Sequence, residues 1–354
     1  MKQVLRLVVF LMVIVNVLGG GIAVAAFSTQ GMNLDTLPEW QMKKTSQGGK
    51  LLLSDSPEMV QKDGILYQDK VFGKVRLFFY HVNETPDVKK MAVLLENRGR
   101  KPAQVTVSHS ILSGPDYSWI AVGKEAQNLY FSTKKNAYNL TVPPGAVMPL
   151  SAEIEEKMMP NMLINGIYDF SVDNPITVKV IMLPVTEDSV KYSRNLKVLP
   201  ADQWHLRGTF DGADREVSPI DVYDPKHDGT IGITLADNHI DTYLTGIDVT
   251  DGSKVVNYGN YGVVYQVLLP SKKGSRISYY LAPLGGDYAG AIEIKHPDVY
   301  WSPLAIPRDK LYFGNNKQKD FAFIGTFEGG DPLALTFSPP GASNLPVKLI
   351  AVPQ

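Results

Sequence analysis

Hydrophobic positions along this chain gather into short runs. In the first half these are Val75-Arg76-Leu77-Phe78-Phe79-Tyr80, residues 91–95, Val105-Thr106-Val107 and residues 176–181. In the second half they are residues 262–269, 276–281, 291–294 and 321–324. β-Branched and aromatic side chains dominate the runs, while Gly, Pro, Asn and Asp fill the gaps, which is how strands joined by turns are written. Only residues 123–130 and 151–159 have helical texture, and Pro160 stops the second. The spacing predicts an all-β protein built as two tandem β-sandwich domains, immunoglobulin-like or jelly-roll-like. The expected boundaries are 51–199 and 200–354, joined across residues 199–207 and preceded by a flexible polar lead-in at 26–50.

A repeat between the halves is half-written. Val178-Lys179-Val180-Ile181-Met182-Leu183-Pro184 returns as Val347-Lys348-Leu349-Ile350-Ala351-Val352-Pro353, and Asp116-Tyr117 returns as Asp287-Tyr288, 169 and 171 positions on. Pro143-Pro144-Gly145-Ala146 returns 196 positions on, out of register with both. Duplication is therefore an open alternative to shared strand chemistry.

The first residues follow another logic. Lys2 and Arg6 precede an apolar run from Leu7 to Leu18, then Gly19-Gly20-Gly21 and small residues ending in Ala23-Val24-Ala25. This is the order of a secretory signal peptide over 1–25, cut after Ala25. If left uncut, the run could just cross a bilayer and would be the chain's sole membrane attachment. No Cys follows it for lipid attachment, and no L-P-x-T-G sequence stands near the C-terminus.

At 354 residues with 44% hydrophobic positions the chain can bury two ordinary cores, and with no Cys it builds them without disulfides. An exported chain of this size without Cys points to a bacterial source, secreted or at the cell surface. The formal charge is −1, with 35 basic and 36 acidic residues. Losing Lys2 and Arg6 leaves 33 against 36. Neither balance points to nucleic acid.

The run Leu94-Leu95-Glu96-Asn97-Arg98-Gly99-Arg100-Lys101-Pro102-Ala103-Gln104-Val105-Thr106-Val107, with Val142-Pro143-Pro144-Gly145 and Asn165-Gly166-Ile167-Tyr168-Asp169-Phe170, resembles the hairpin, turn and late strand of immunoglobulin-like bacterial surface domains. Asn97 and Gly99 suit a tight connection. Leu51-Leu52-Leu53-Ser54-Asp55-Ser56-Pro57-Glu58, Gly64-Ile65-Leu66-Tyr67, Gly285-Gly286-Asp287-Tyr288-Ala289-Gly290-Ala291 and Pro339-Pro340-Gly341-Ala342-Ser343-Asn344-Leu345-Pro346 are similar to uncharacterised secreted proteins of Gram-positive-related bacteria. Some of those are joined to stalk domains of the copper amine oxidase N-terminal type, which this chain lacks. The resemblance implies an envelope setting and supplies no catalytic residues.

Catalytic motifs are incomplete. His81, His109, His205, His227, His239 and His296 form no H-x-H or H-E-x-x-H, and no G-x-S-x-G occurs. Ser132-Thr133-Lys134-Lys135 matches S-x-x-K in what reads as loop or strand. Residues 211–251 hold ten carboxylates against Arg215 and Lys226, so calcium is possible there, with Asp224 and Asp228 as expected ligands. The competing reading is turn-forming Asp, as in Asp211-Gly212, Asp228-Gly229 and Asp251-Gly252. Tyr117, Trp119, Tyr288 and Trp301 sit beside Gly or Pro, where sugar-stacking aromatics on sandwich-end loops would lie, although large aromatics also anchor cores. The expectation is a secreted, non-enzymatic binding or structural module of the cell envelope. Its partner would be an envelope component or a glycan, with carbohydrate binding and a glycosidase as alternatives.

Overall fold

The computed structural model describes residues 32–132, 136–299, 302–316 and 320–354. The expected signal segment, Trp301 and the Thr133 to Lys135 part of the S-x-x-K match lie outside the described residues. Among the described residues no helix is long and apolar enough to cross a membrane.

The protein is all-β, with several packed sheets. In chain order the first strands are β1 (Met42–Gln47), β2 (Lys50–Ser54), β3 (Met59–Val60), β4 (Gly64–Asn83), β5 (Lys89–Glu96) and β6 (Ala103–Asp116). After helix α1 (Trp119–Ser132) come β7 (Tyr138–Val142), β8 (Val147–Pro149), β9 (Leu163–Pro184), β10 (Arg207–Asp211), β11 (Asp214–Pro219), β12 (Ile231–Leu235), β13 (Thr245–Asp248) and β14 (Ser253–Val256). The chain ends in β15 (Val264–Leu268), β16 (Arg276–Pro283), β17 (Gly290–Lys295), β18 (Leu304–Ile306), β19 (Ala322–Glu328), β20 (Ala334–Phe337) and β21 (Val347–Pro353).

The first half is organised by the long antiparallel pair β4 and β9, whose apolar runs were the clearest in the sequence. Alternate β4 side chains serve two cores: Leu77 and Phe79 pack with Tyr168, Phe170 and Val180, while Phe78, Tyr80 and Val82 face the second half. Burial on both faces explains why the run is continuously apolar. The pair turns a bulged corner at Val71/Gly73, opposite Asp173-Asn174-Pro175, where Gly73 takes φ +78°. At that corner β9 changes partner, from β6 up to Val172 to β5 from Thr177. The expected β5–β6 hairpin is therefore absent, since both strands pair with β9. Asn97, fully buried, holds the intervening loop by donating to Lys101 O and Val142 O, each at 2.8 Å.

The second half sets a six-stranded sheet, β1-β11-β15-β20-β17-β18, against a four-stranded one, β12-β21-β16-β19. Their strand orders do not repeat the first half. Tyr265, Phe337 and Ile292 meet Tyr279, Leu281 and Leu349 in a core that continues to Phe78 and Tyr80. The halves also exchange strands. β10 pairs with β2, placing Arg207 opposite Ser54, and β13 and β14 extend that sheet, while β1 leaves the lead-in to pair with β11. Parallel pairing of β2 with β4 leaves the other β2 edge open, and β10 satisfies its N–H and C=O groups. The expected join at 199–207 is thus a crossing point within one continuous sheet.

The described part of the lead-in, residues 32–50, packs on the rest of the protein rather than lying free. Leu34, with Met32 and Leu37 beside it, covers the outer face of the four-stranded sheet at Ala282, Ile350 and Val352. Trp40 is buried and donates to Asp221 O at 3.1 Å.

Helix α1 encloses the expected 123–130 stretch, whereas 151–159 yields only one 3-10 turn, Ala152–Ile154. Glu155 there is drawn into an ion pair with Lys90 at 2.6 Å instead of continuing a helix. α1 wedges between the halves through Val122 and Ala126. A Cβ on Gly123 would fall 1.9 Å from Gly341 O. Alanine normally stabilises a helix interior relative to glycine. Gly123→Ala should reverse that sign here and cost about 1–3 kcal/mol through overpacking, read as a lower denaturant midpoint.

Candidate functional site

The loop after β2 and the crossing segment 199–206 meet beside α1, and together they line an open cleft of about 610 Å³. Its walls include Pro57, Glu58, Trp119, Asp202 and Trp204. Trp119, the first residue of α1, is half-buried and fixed by donation from Nε1 to Asn161 O at 2.9 Å. Trp204 is 63% exposed, an indole placed in water in a protein that buries most of its large apolar side chains.

The two loops are stitched by Asp202. Its Oδ1 accepts from Ser56 Oγ, Trp204 N and His205 N at 3.0–3.1 Å, and its Oδ2 accepts from Glu58 N at 2.9 Å. Four donors on one carboxylate fix the backbone that carries both Glu58 and Trp204. Burial, then the nearby Asp202 charge, pushes the Glu58 carboxyl above its ordinary range. Behind it, Asp55 is driven well up by burial, then by Glu58 and Asp202. Asp55 Oδ1 has no hydrogen-bond partner among the described residues. His81, fully buried, has Nδ1 2.9 Å from Pro57 O and Nε2 2.8 Å from Ser54 Oγ. A carbonyl only accepts, so Nδ1 carries the proton and Nε2 accepts from Ser54. Burial lowers this imidazole to about 4.

The wall is anchored from below by Arg207, which is 2% exposed. Its Nε donates to Asp248 Oδ2 at 2.6 Å, and its Nη1 to Leu199 O at 2.7 Å and Leu66 O at 3.2 Å. His205 Nε2 lies 2.8 Å from the same Asp248 oxygen, 3.6 Å from Asp251 Oδ2 and 3.5 Å from Ser253 Oγ. Ser253, His205 and Asp248 do not form a relay, because serine and aspartate approach the same ring nitrogen, whereas a triad uses both. His205, Asp248 and Asp251 have the donor types of a metal site. The Asp248 oxygens, however, already serve Arg207, His205 and Thr250, and a cation bound there would sit beside the guanidinium.

Of the expected ligand-binding aromatics, Trp119 lines the cleft, Tyr117 is 59% exposed and does not line it, and Trp301 is outside the described residues. Tyr288 is fully buried against Phe313 and is a core residue, so its Asp-Tyr match to Tyr117 misleads. Asp224 and Asp228 meet, but as a turn: Asp228 Oδ2 accepts from Asp224 N at 2.7 Å, and Asp224 Oδ2 is 2.9 Å from both Lys272 Nζ and His227 Nδ1. With its oxygens spent on cationic and backbone donors, this turn is a poor calcium cage. Gly212, Gly229 and Gly252 all take positive φ, as the turn reading of the Asp-Gly pairs requires. Trp204, Glu58, Asp202 and Arg207 were not singled out from the sequence. A Trp set between polar Asp202, Gln203 and His205 in a segment without strand texture was the available signal.

No family model and no curated protein matches the sequence. Solved structures align over most of the chain, but loosely. The CUB1-EGF-CUB2 domains of rat MASP-1 match at 8% identity and TM-score 0.21, covering 88% of this chain and 97% of that one. Tomato vicilin matches at 10% and 0.12, covering 85% of each. A Bacillus subtilis oxalate decarboxylase mutant matches at 9% and 0.13, covering 86% of this chain and 77% of that one. Scores this low carry no argument about relationship or activity.

Proposed function

We propose that this chain is an exported, non-enzymatic carbohydrate-binding module that seats a sugar in the Trp119–Trp204 cleft. The observation that carries this reading is the water-exposed Trp204 indole sharing one cleft with Trp119 and the polar groups of Glu58 and Asp202. Flat aromatic faces cover the apolar side of a sugar ring, and carboxyl and amide groups take its hydroxyls. Export rests on the signal-like first residues, and the envelope setting on the resemblance to secreted bacterial proteins. The carboxyl set favours binding over hydrolysis. A glycosidase needs an acid and a free carboxylate flanking the bond. Here Glu58 and Asp55 are both pushed up, while both Asp202 oxygens are occupied by donors.

Trp204→Ala should leave the unfolding midpoint unchanged and weaken glycan retention by about 2 kcal/mol, roughly thirtyfold, as for a central tryptophan anchor. The measurement is a glycan array followed by titration of the retained sugar. Failure of every glycan to bind, or unchanged affinity in the variant, removes the proposal.

A further inference from the structure

At the far corner of the first half, a second pocket of about 630 Å³ is lined by Lys70, Arg98, Arg100 and Lys101, with Glu96 as its one carboxylate. Four cations against one acid stand out in a chain whose formal charge is −1. The sheet explains how they converge. Thr177 of β9 is in register with Lys70 of β4 on one side and Glu96 of β5 on the other, so the three side chains stand on one face. Lys179, two positions along the same face, takes the Glu96 carboxylate at 2.7 Å, and Arg98 takes the same oxygen at 3.0 Å. The single acid is thereby neutralised within the protein.

The remaining cations have no such outlet. The side chains of Lys70, Arg100 and Lys101 have no ion-pair or hydrogen-bond partner among the described residues, and all three are exposed. Their platform is nevertheless held in shape. Asn97 clamps the loop by donating to Lys101 O and accepting from Gly99 N, and Asn174 donates to Pro102 O at 3.0 Å. Paying no ordering cost for the loop on binding is what lets a charged surface become a site.

We infer that this corner pocket binds a ligand presenting two or more phosphate groups. The guanidinium fork of Arg100 suits paired phosphate oxygens, Arg98 adds only the N–H groups that Glu96 leaves free, and Lys70 and Lys101 supply point charges beside them. The volume lies in the range of pockets that enclose a ligand larger than one small ion. This site is separate from the tryptophan cleft and does not depend on it.

The test compares the full chain with the double variant Arg100→Gln/Lys101→Gln, whose altered side chains touch no partner and should leave thermal unfolding unchanged. One arm titrates inorganic tripolyphosphate. The other measures co-sedimentation with phosphatidylglycerol vesicles, using phosphatidylcholine vesicles as reference. The wild-type chain should bind tripolyphosphate and weaken steeply with salt, and the variant should lose about tenfold or more. Variant-sensitive binding to tripolyphosphate alone assigns a soluble oligophosphate. Variant-sensitive binding to phosphatidylglycerol vesicles that tripolyphosphate displaces assigns an anionic bilayer surface, whose neighbouring headgroups present the paired phosphates. Absence of binding in both arms, or equal binding by wild type and variant, overturns the inference.

Discussion

Replacing Arg207 by methionine is expected to lower the unfolding free energy by about 3–5 kcal/mol, the usual effect of removing one partner from a buried ion pair. The guanidinium is a permanently charged partner of Asp248, which is itself fully buried. Burial alone would raise the Asp248 carboxyl, but bonds from Thr250, Arg207 and His205 outweigh it and hold the group below its ordinary range. Without Arg207 the balance tilts back toward desolvation. Leu199 O and Leu66 O lose their donor at the same time, and each buried orphan adds to the penalty. A second substitution, Asp248→Asn, should recover much of the loss, since it removes the charge that the first leaves behind. Urea midpoints of the two single variants and the double variant complete the cycle. A single-variant loss below about 1 kcal/mol would show that water reaches the pair. The same change bears on the cleft, because Leu199 begins the segment that carries Asp202 and Trp204. Arg207→Met should therefore also weaken the sugar retention proposed above.

How much of this was legible in the sequence follows from the range over which each feature is encoded. The runs at 75–80, 91–95 and 176–181 lie inside β4, β5 and β9 because their periodicity is local. That β4 and β9 continue through a corner was not legible, since Gly73 and Asp173-Asn174-Pro175 are written like turns and serve instead as a bulge in continuous strands. The pairing of β10 with β2 across the expected boundary depends on which edge parallel pairing leaves open, and no window of sequence reports that. For the cleft, Trp119 was visible as an aromatic beside a turn. Trp204 is not visible as such, because its neighbours read as a join. The carboxyl at Asp202 gains its meaning only from donors at Ser56 and Glu58, about 145 residues away.

Stability should also depend on acid in two opposed ways, which His81→Gln and Asp55→Asn separate. His81 titrates near 6.5 when unfolded and near 4 in the folded protein, with burial as the chief cause. As pH falls below 6.5 the unfolded chain takes up a proton that the folded chain refuses. His81 therefore withdraws about 3 kcal/mol by pH 4, after which its effect levels off. Asp55 and Glu58 work in the other direction. Their folded values are raised, so on acidification the folded state binds protons first and gains stability until the unfolded carboxyls titrate at 3.8 and 4.5. His81→Gln should flatten the acid loss between pH 6.5 and 4, whatever it costs at neutrality through the Ser54 and Pro57 contacts. Asp55→Asn should raise the denaturant midpoint near neutral pH by removing a buried carboxylate whose Oδ1 has no partner, and should make the acid loss steeper by removing a compensating gain. Midpoints measured from pH 7 to pH 4 decide the matter, and parallel profiles for wild type and both variants would show that neither group is shielded from water. The carboxyls beneath the cleft are kept at a cost in stability that an apolar or amide residue would avoid.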